Sequence, residues 1–580
     1  MYRLAVAVCI LFLAFDGAVA SAQGTNTLDQ RYSHIQDLNN AGSAIVYARS
    51  PSTAQLHQAI EKLKEAQAAI SLMHAQLAAG SGYARQADDR CQDNLRYQAD
   101  AYALLGDKQA AIDRLVLWAA GDVGNWGRHW LAHDKYLSGL RDDPRFKSLV
   151  SHLDGVADRW NAKVFMTSSD SLSEVQRIAG LSLFWSEVRY NFAHFDNVPN
   201  LDWNQTYLDF LPKVIAAKNL HDYYDVLMRL APLLHDGHTN IYPSESIQNQ
   251  FYASPPIRAA LIQNKVIVTL VADPRIAKMG VRVGDEIVSI DGEEVHQYAK
   301  QHVEPYVSSS TPQDRAVRMY TYQLLDGDRR KPVVLGLKDA SGALRSVTLS
   351  REPDTQAKGP PEFTFRMLLG NIAYLKLGEF EDDAGDKAFA QHLPQILKAK
   401  GLILDVRGNG GGSSDYGWNI LTWLSSKPVP EPAVRSLDYV PVYRAWNGPS
   451  EHWKRIGPPD ETYSRARKQH FTGPAAVLIG PRTFSAAEDF VVSFEAMHRG
   501  VLVGERTAGS TGQPLMFELP GGGTARICTL RETFPDGRKF VGIGIAPQIE
   551  VTPTVLDFRT GRDPTIAAAV KAIDVQSAHD

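Results

Sequence analysis

Two apolar stretches, each running directly into a loop of small or hydroxylated residues, constrain this chain more than any other feature. The first is Gly401-Leu402-Ile403-Leu404-Asp405-Val406, followed by Arg407-Gly408-Asn409-Gly410-Gly411-Gly412. The second is Ala476-Val477-Leu478-Ile479, followed by a short loop and then Ser485-Ala486-Ala487-Glu488. Short, uninterrupted apolar runs bounded by turn residues read as buried strands. With further strands over 372–377 and 501–503, and helices over 388–399 and 486–497, residues 360–580 read as an α/β core.

Each loop has a chemical reading. Glycines let main-chain N–H groups converge on a ligand atom without side-chain obstruction. The loop lacks the Lys and Ser/Thr of a Walker phosphate loop and the dinucleotide spacing, so an oxyanion hole fits better than a phosphate site. Ser485 is expected to open a helix, where its hydroxyl is exposed and the helix N-terminus favours developing negative charge. The competing reading is a capping box made by Ser485 and Glu488.

At 580 residues the chain is too long for one core. The net charge of −4 and the absence of a dense Lys/Arg tract argue against nucleic acid as a partner. The N-terminus reads as an export signal over 1–22: Arg3, an apolar run over 4–15, then small residues at Ala18, Ala20 and Ala22. A periplasmic or secreted protein is expected, with no membrane span after signal removal. Cys91 and Cys528 then remain, their pairing undetermined by sequence, and no Cys/His spacing resembles a zinc site.

Residues 23–155 read as a helical extension. The segments 94–105 and 108–120, joined by Gly106-Asp107, resemble one tetratricopeptide repeat. Tyr97, Tyr102 and Leu105 are expected to pack against Ala110, Ile112 and Leu115. Asp143-Pro144-Arg145-Phe146 fits a closing helix. Either a protein partner or simple packing accounts for such an extension. Residues 165–250 are helical in pattern, with Pro212 a candidate break, and Gly237 in His235-Asp236-Gly237-His238-Thr239 is expected to end the helix before it. Residues 255–352 alternate like strands. The series over 279–292, with Gly284-Asp285 and Asp291-Gly292 as turns, resembles the second half of a PDZ domain. Its carboxylate-binding amide loop is sought at 256–261.

The strand with RGNGGG, the strand with SAAE, Val503-Gly504-Glu505-Arg506-Thr507-Ala508-Gly509 and Gly544-Ile545-Ala546-Pro547 together resemble the tail-specific (C-terminal processing) serine peptidases. The resemblance implies a crotonase/Clp-protease-like catalytic core with an inserted PDZ-like domain. It implies Ser485 as nucleophile. Where the bacterial tail-processing branch carries a lysine base this chain has Ser510, and His238 matches the base of the tricorn-like branch. That branch's histidine-orienting glutamate is replaced by Val541, which leaves Glu488 and Asp236 as candidate supporting acids. Backbone N–H groups of Gly411 or Gly412, with that of Ala486, are the expected oxyanion donors. Protein or peptide is the expected substrate, with no metal or organic cofactor. The alternatives are a catalytically degenerate peptide-binding scaffold and a hydrolase of other esters or amides. If His238 is the base, activity is expected to rise through an ionisation near ~6–7 that Ser510→Ala leaves in place.

Overall fold

The computed structural model describes residues 28–577 except 77–81, 122, 124, 162–170, 354–361, 457–461, 464 and 466. The signal expected over 1–22 lies outside the described residues. The chain divides into two units, Met1–Val164 and Phe165–Asp580.

The first unit is helical: Leu28–Val46, Thr53–Gln76, Gly82–Leu105, Lys108–Ala119, Asn125–His133 and Pro144–Asn161. The expected turn is present. Gly106 takes φ 78°, and Asp107 caps the next helix by accepting from the Ala110 N–H at 3.0 Å. The packing bears out part of the expected pairing: Tyr102 packs against the cluster of Ile112 and Leu115. Ala111, not Ala110, is buried beside Ile112 and Leu115. Tyr97 and Leu105 instead join Val46, Ala59 and Ile60 of the two preceding helices. Helical periodicity names a buried face but not the helix that covers it.

The second unit is built on a six-stranded sheet in the order Ile549–Glu550, Val501–Gly504, Ala475–Ile479, Gly401–Asp405, Ile372–Leu377, Phe363–Leu368. Pairings are parallel except the last. Every residue of Gly401–Asp405 and Ala475–Ile479 is buried. Leu402, Leu404 and Val477 face Phe389, Ile420 and Phe490 from three covering helices. Ile403, Ala476 and Leu478 face Ala569 and Ile573 of Pro564–Ser577 on the other side. A strand covered by helices on both faces has no solvent side, so its sequence does not alternate. The two loops singled out above leave the carboxyl ends of neighbouring parallel strands, where ligands gather in open α/β sheets.

Before the sheet come helices Glu174–Asn191, Trp203–Ala216 and Leu220–Met228. Pro212 lies inside its helix without ending it. Gly237 does not end a helix either: Leu220–Met228 stops earlier, a 3₁₀ turn follows over Ala231–Leu234, and His235 takes the left-handed conformation at φ 49°. Gly237 is needed for closeness instead, since a Cβ there would lie 2.8 Å from Ser510 Oγ. After it, Asn240–Tyr242 pairs with Gly523–Cys528, which pairs with Pro514–Leu519, all antiparallel.

The segment over 255–352 forms an antiparallel sheet in the order Ile257–Ile262, Lys265–Val271, Glu286–Ile290, Val333–Lys338, Leu344–Leu349. Val266, Val268, Ile287, Leu335 and Leu337 lie in its own core. Gly284, Asp291 and Gly292 hold positive φ at the two expected turns. The amide loop sought at 256–261 is not there: most of that segment is the strand Ile257–Ile262, paired along its length with Lys265–Val271. Cys528 is a buried free thiol. No helix among the described residues is long and apolar enough to cross a membrane.

Candidate active site

The two loops at the sheet's carboxyl edge are stitched to each other. Thr483 Oγ1 donates to the Val406 carbonyl at 2.8 Å and accepts from the Gly480 N–H at 3.1 Å. The Phe484 N–H donates to the Asn409 carbonyl at 3.1 Å. This places the glycine loop against Ser485, at the head of helix Ala486–Ala496. A Cβ on Gly411 (φ 102°) would stand 2.7 Å from the Ser485 Cβ, so only glycine fits. Ser485 itself takes φ 58° and ψ −131°, and its N–H is held by the Ser510 carbonyl at 3.0 Å. Such a backbone costs on the order of 1–3 kcal/mol in a non-glycine residue. It also removes the capping box, because the Ser485 hydroxyl makes no cap hydrogen bond.

The hydroxyl meets His238 instead. His238 Nε2 lies 3.0 Å from Ser485 Oγ, and Nδ1 lies 3.0 Å from Ser510 Oγ. The pairing of Asn240–Tyr242 with Gly523–Cys528 carries His238 across 247 residues of sequence to reach Ser485. The ring is 3% exposed and stacks on Phe484, centroids 4.5 Å apart. Burial, with the positive charges of Arg526 and Arg318, holds the imidazole well below the usual histidine range. Burial favours the neutral ring; if Nε2 accepts from the Ser485 hydroxyl, Nδ1–H is the nitrogen left to donate to Ser510 Oγ. His235, three residues earlier, is exposed.

Neither candidate acid touches the ring. Asp236 Oδ1 accepts from the His238 N–H at 3.0 Å and from Thr239 Oγ1 at 2.8 Å, so it shapes the turn. Glu488 is fully buried. It accepts from Thr507 Oγ1 (2.6 Å), the Gly509 N–H (2.8 Å) and the Ser510 N–H (2.7 Å). Burial pushes its carboxyl up to about 7 against the pull of those donors. Glu488 thus fixes the loop that presents Ser510 to His238. Val541 packs against the sheet's core.

The oxyanion donors expected from the glycine loop divide. The Gly411 N–H is already taken by Asn409 Oδ1 at 2.8 Å. Gly412 and Ala486 remain as the candidate pair, with Ala486 in the first turn of the helix at Ser485.

The segment over 255–352 also reaches these loops. Thr311 Oγ1 donates to the Ala508 carbonyl at 2.6 Å, Gln313 Nε2 to the Thr507 carbonyl at 2.9 Å, and the Gly237 N–H to Ser310 Oγ at 3.0 Å. Arg318, paired with Asp314, lies over the Phe484 ring. A cavity of about 1100 Å³ lies alongside, lined in part by Tyr242, Tyr252, Arg258, Tyr322 and Arg482.

Sequence reasoning marks Ser510 only as the place of an absent lysine whose substitution leaves the pH profile in place. The structure adds a contact that this reading missed, Ser510 Oγ at 3.0 Å from His238 Nδ1. A hydroxyl in a loop has no periodicity or spacing that marks it, so nothing in the sequence singled it out.

The family model described as "Peptidase family S41" matches residues 371–551, and that described as "Bacteroidetes, Peptidase, S41 family, N-terminal domain" matches 261–322. A chloroplastic C-terminal processing peptidase from Tetradesmus obliquus is 24% identical over 294 residues, covering 50% of this chain and 57% of that protein. The carboxy-terminal processing protease CtpA of Bacillus subtilis (strain 168) is 24% identical over 288 residues, covering 49% and 53%. The matched region thus spans little more than half the length of these relatives. Among solved structures, mature CPAF complexed with lactacystin aligns with a TM-score of 0.56 at 17% identity, over 71% of this chain and 100% of that one, a likeness of fold. Residues 371–551 thus match the peptidase family S41 model, and about half of the chain is similar to C-terminal processing proteases.

Proposed function

We propose that the protein is a serine peptidase that hydrolyses protein or peptide substrates through an acyl-enzyme on Ser485. The observation that carries this reading is the 3.0 Å contact between Ser485 Oγ and a buried His238 whose other nitrogen is held by Ser510. His238 Nε2 takes the Ser485 proton as Oγ attacks the peptide carbonyl. The N–H groups of Gly412 and Ala486 receive the oxyanion, helped by the N-terminus of helix Ala486–Ala496. The imidazolium returns its proton to the leaving amine, and water releases the acyl group. Ser510 Oγ positions the ring by accepting from Nδ1–H, and Glu488 holds the loop that carries Ser510.

In this reading the α/β core is crotonase/Clp-protease-like. The insert over 255–352 is a PDZ-like domain that delivers a chain end to the cleft. The helical unit is tetratricopeptide-like and offers a surface for a protein partner. The protein acts after export. The test is labelling with a fluorophosphonate together with hydrolysis of an unfolded protein substrate. Labelling and hydrolysis that both vanish in Ser485→Ala support the peptidase. An unlabelled, inactive wild-type protein leaves the peptide-binding scaffold, and labelling with ester but not peptide turnover leaves another hydrolase.

A further inference from the structure

At the turn that carries His238, three side chains from distant parts of the chain come together. They are His194, after helix Glu174–Asn191; Asp236, in the turn that carries His238; and Cys528, the last residue of strand Gly523–Cys528. Their ligand atoms lie within 4.8 Å of one another. His194 is 5% exposed; Asp236 and Cys528 are fully buried.

Two of these groups have unmet bonding capacity. His194 Nε2 and Asp236 Oδ2 are buried without a hydrogen-bond partner. Leaving a buried polar atom unpaired costs about 1–3 kcal/mol, more where the group is charged. The remaining atoms of both residues are occupied. Asp236 Oδ1 holds the His238 N–H and the Thr239 hydroxyl. The backbone carbonyl of Leu530 accepts a hydrogen bond from the His194 ring, which leaves a lone pair on Nε2. A carbonyl behind an imidazole is the usual arrangement that fixes a histidine as a metal ligand.

The scaffold is pre-assembled. The Ala193 N–H donates to the Cys528 carbonyl at 3.0 Å, and the Cys528 N–H donates to Thr239 Oγ1 at 3.2 Å. Each ligand-bearing segment is thereby tied to its neighbour without help from the three ligand atoms.

We propose that His194, Asp236 and Cys528 form a binding site for a Zn²⁺-class divalent ion, which clamps the turn carrying His238 to strand Gly523–Cys528. One imidazole nitrogen, one carboxylate oxygen and one sulfur suit a borderline-soft ion and disfavour Ca²⁺ or Mg²⁺, which take oxygen ligands. Three protein ligands leave the fourth tetrahedral position to water. Cys528 binds as thiolate, and its proton leaves to solvent. The site does not depend on the peptidase reading, because its test measures metal and not turnover.

The probe is Co²⁺ as a spectroscopic stand-in, followed by Zn²⁺ displacement. The full chain carrying Cys9→Ser and Cys91→Ser retains Cys528 as its one cysteine. It should bind one Co²⁺ per chain, show a thiolate-to-cobalt charge-transfer band in the near ultraviolet, lose that band on Zn²⁺ addition, and melt at higher temperature with Zn²⁺ than with chelator. Adding Cys528→Ser should abolish the band. His194→Gln should weaken binding by at least the ~10–100-fold that altering a metal's outer-shell partner costs. The absence of stoichiometric uptake or of the band in the chain that retains Cys528 overturns the proposal, whatever the variants do. A band that persists after Cys528→Ser also overturns it.

Discussion

Replacing Ser510 with alanine tests the catalytic geometry most directly. The change removes the acceptor 3.0 Å from His238 Nδ1 and leaves the backbone that Glu488 holds in place. The His238 ring is buried, so water does not readily take over. A buried donor left without a partner costs about 1–3 kcal/mol. The lost bond matters most when the ring carries the Ser485 proton, because a hydrogen bond from a charged donor is about twice as strong as a neutral one. At 1.36 kcal/mol per tenfold in rate, kcat should fall by ~10–100-fold. KM should change little, since Ser510 lies behind the ring and not in the cleft. The assay is steady-state cleavage of a quenched peptide, with the rate of fluorophosphonate labelling as an independent readout of Ser485 reactivity. Wild-type kcat in a folded Ser510→Ala protein would refute the assignment. So would a loss confined to KM.

Other consequences are open to measurement. Ser485→Ala and Ser485→Gly should both abolish labelling and hydrolysis, but the glycine variant should be the more stable by roughly 1 kcal/mol in denaturant melts, because φ 58° strains alanine and not glycine. The acid limb of kcat/KM, measured with chelator present, should lie below the ordinary histidine range, because burial, Arg526 and Arg318 oppose the charge on His238. An acid limb above the ordinary histidine value would contradict the buried, cation-flanked ring. Glu488 has its folded carboxyl raised to about 7 by burial, with Asp314 adding to the rise, so its contribution to stability is fully present below the unfolded value and lost as pH rises through about 7. The loss should approach ~3 kcal/mol, and Glu488→Gln should flatten that part of the stability–pH curve in urea melts at a series of pH values.

How much of this was legible beforehand can be argued from particular residues. The strands Gly401–Asp405 and Ala475–Ile479 announced themselves because burial on both faces demands apolar residues at every position. Ser485 and the glycine loop were legible because each follows such a strand directly and needs special chemistry at fixed offsets. The turns at Gly106, Gly284 and Gly292 were legible because positive φ selects glycine.

Tertiary structure decided whatever depends on which atom meets which across long separations. Glu488 and Asp236 both looked like partners for the His238 ring, yet one holds backbone N–H groups of a loop and the other holds a turn. Gly411 looked like an oxyanion donor, but Asn409 takes its N–H. The contact of Ser510 with His238 and the gathering of His194, Asp236 and Cys528 arise from segments that local pattern does not relate. A sequence records local requirements, such as burial, turn conformation and helix periodicity, at the residue that bears them. Hydrogen-bond partners are chosen only when the sheet and its loops close, because the energy of each bond depends on a distance that no single segment contains.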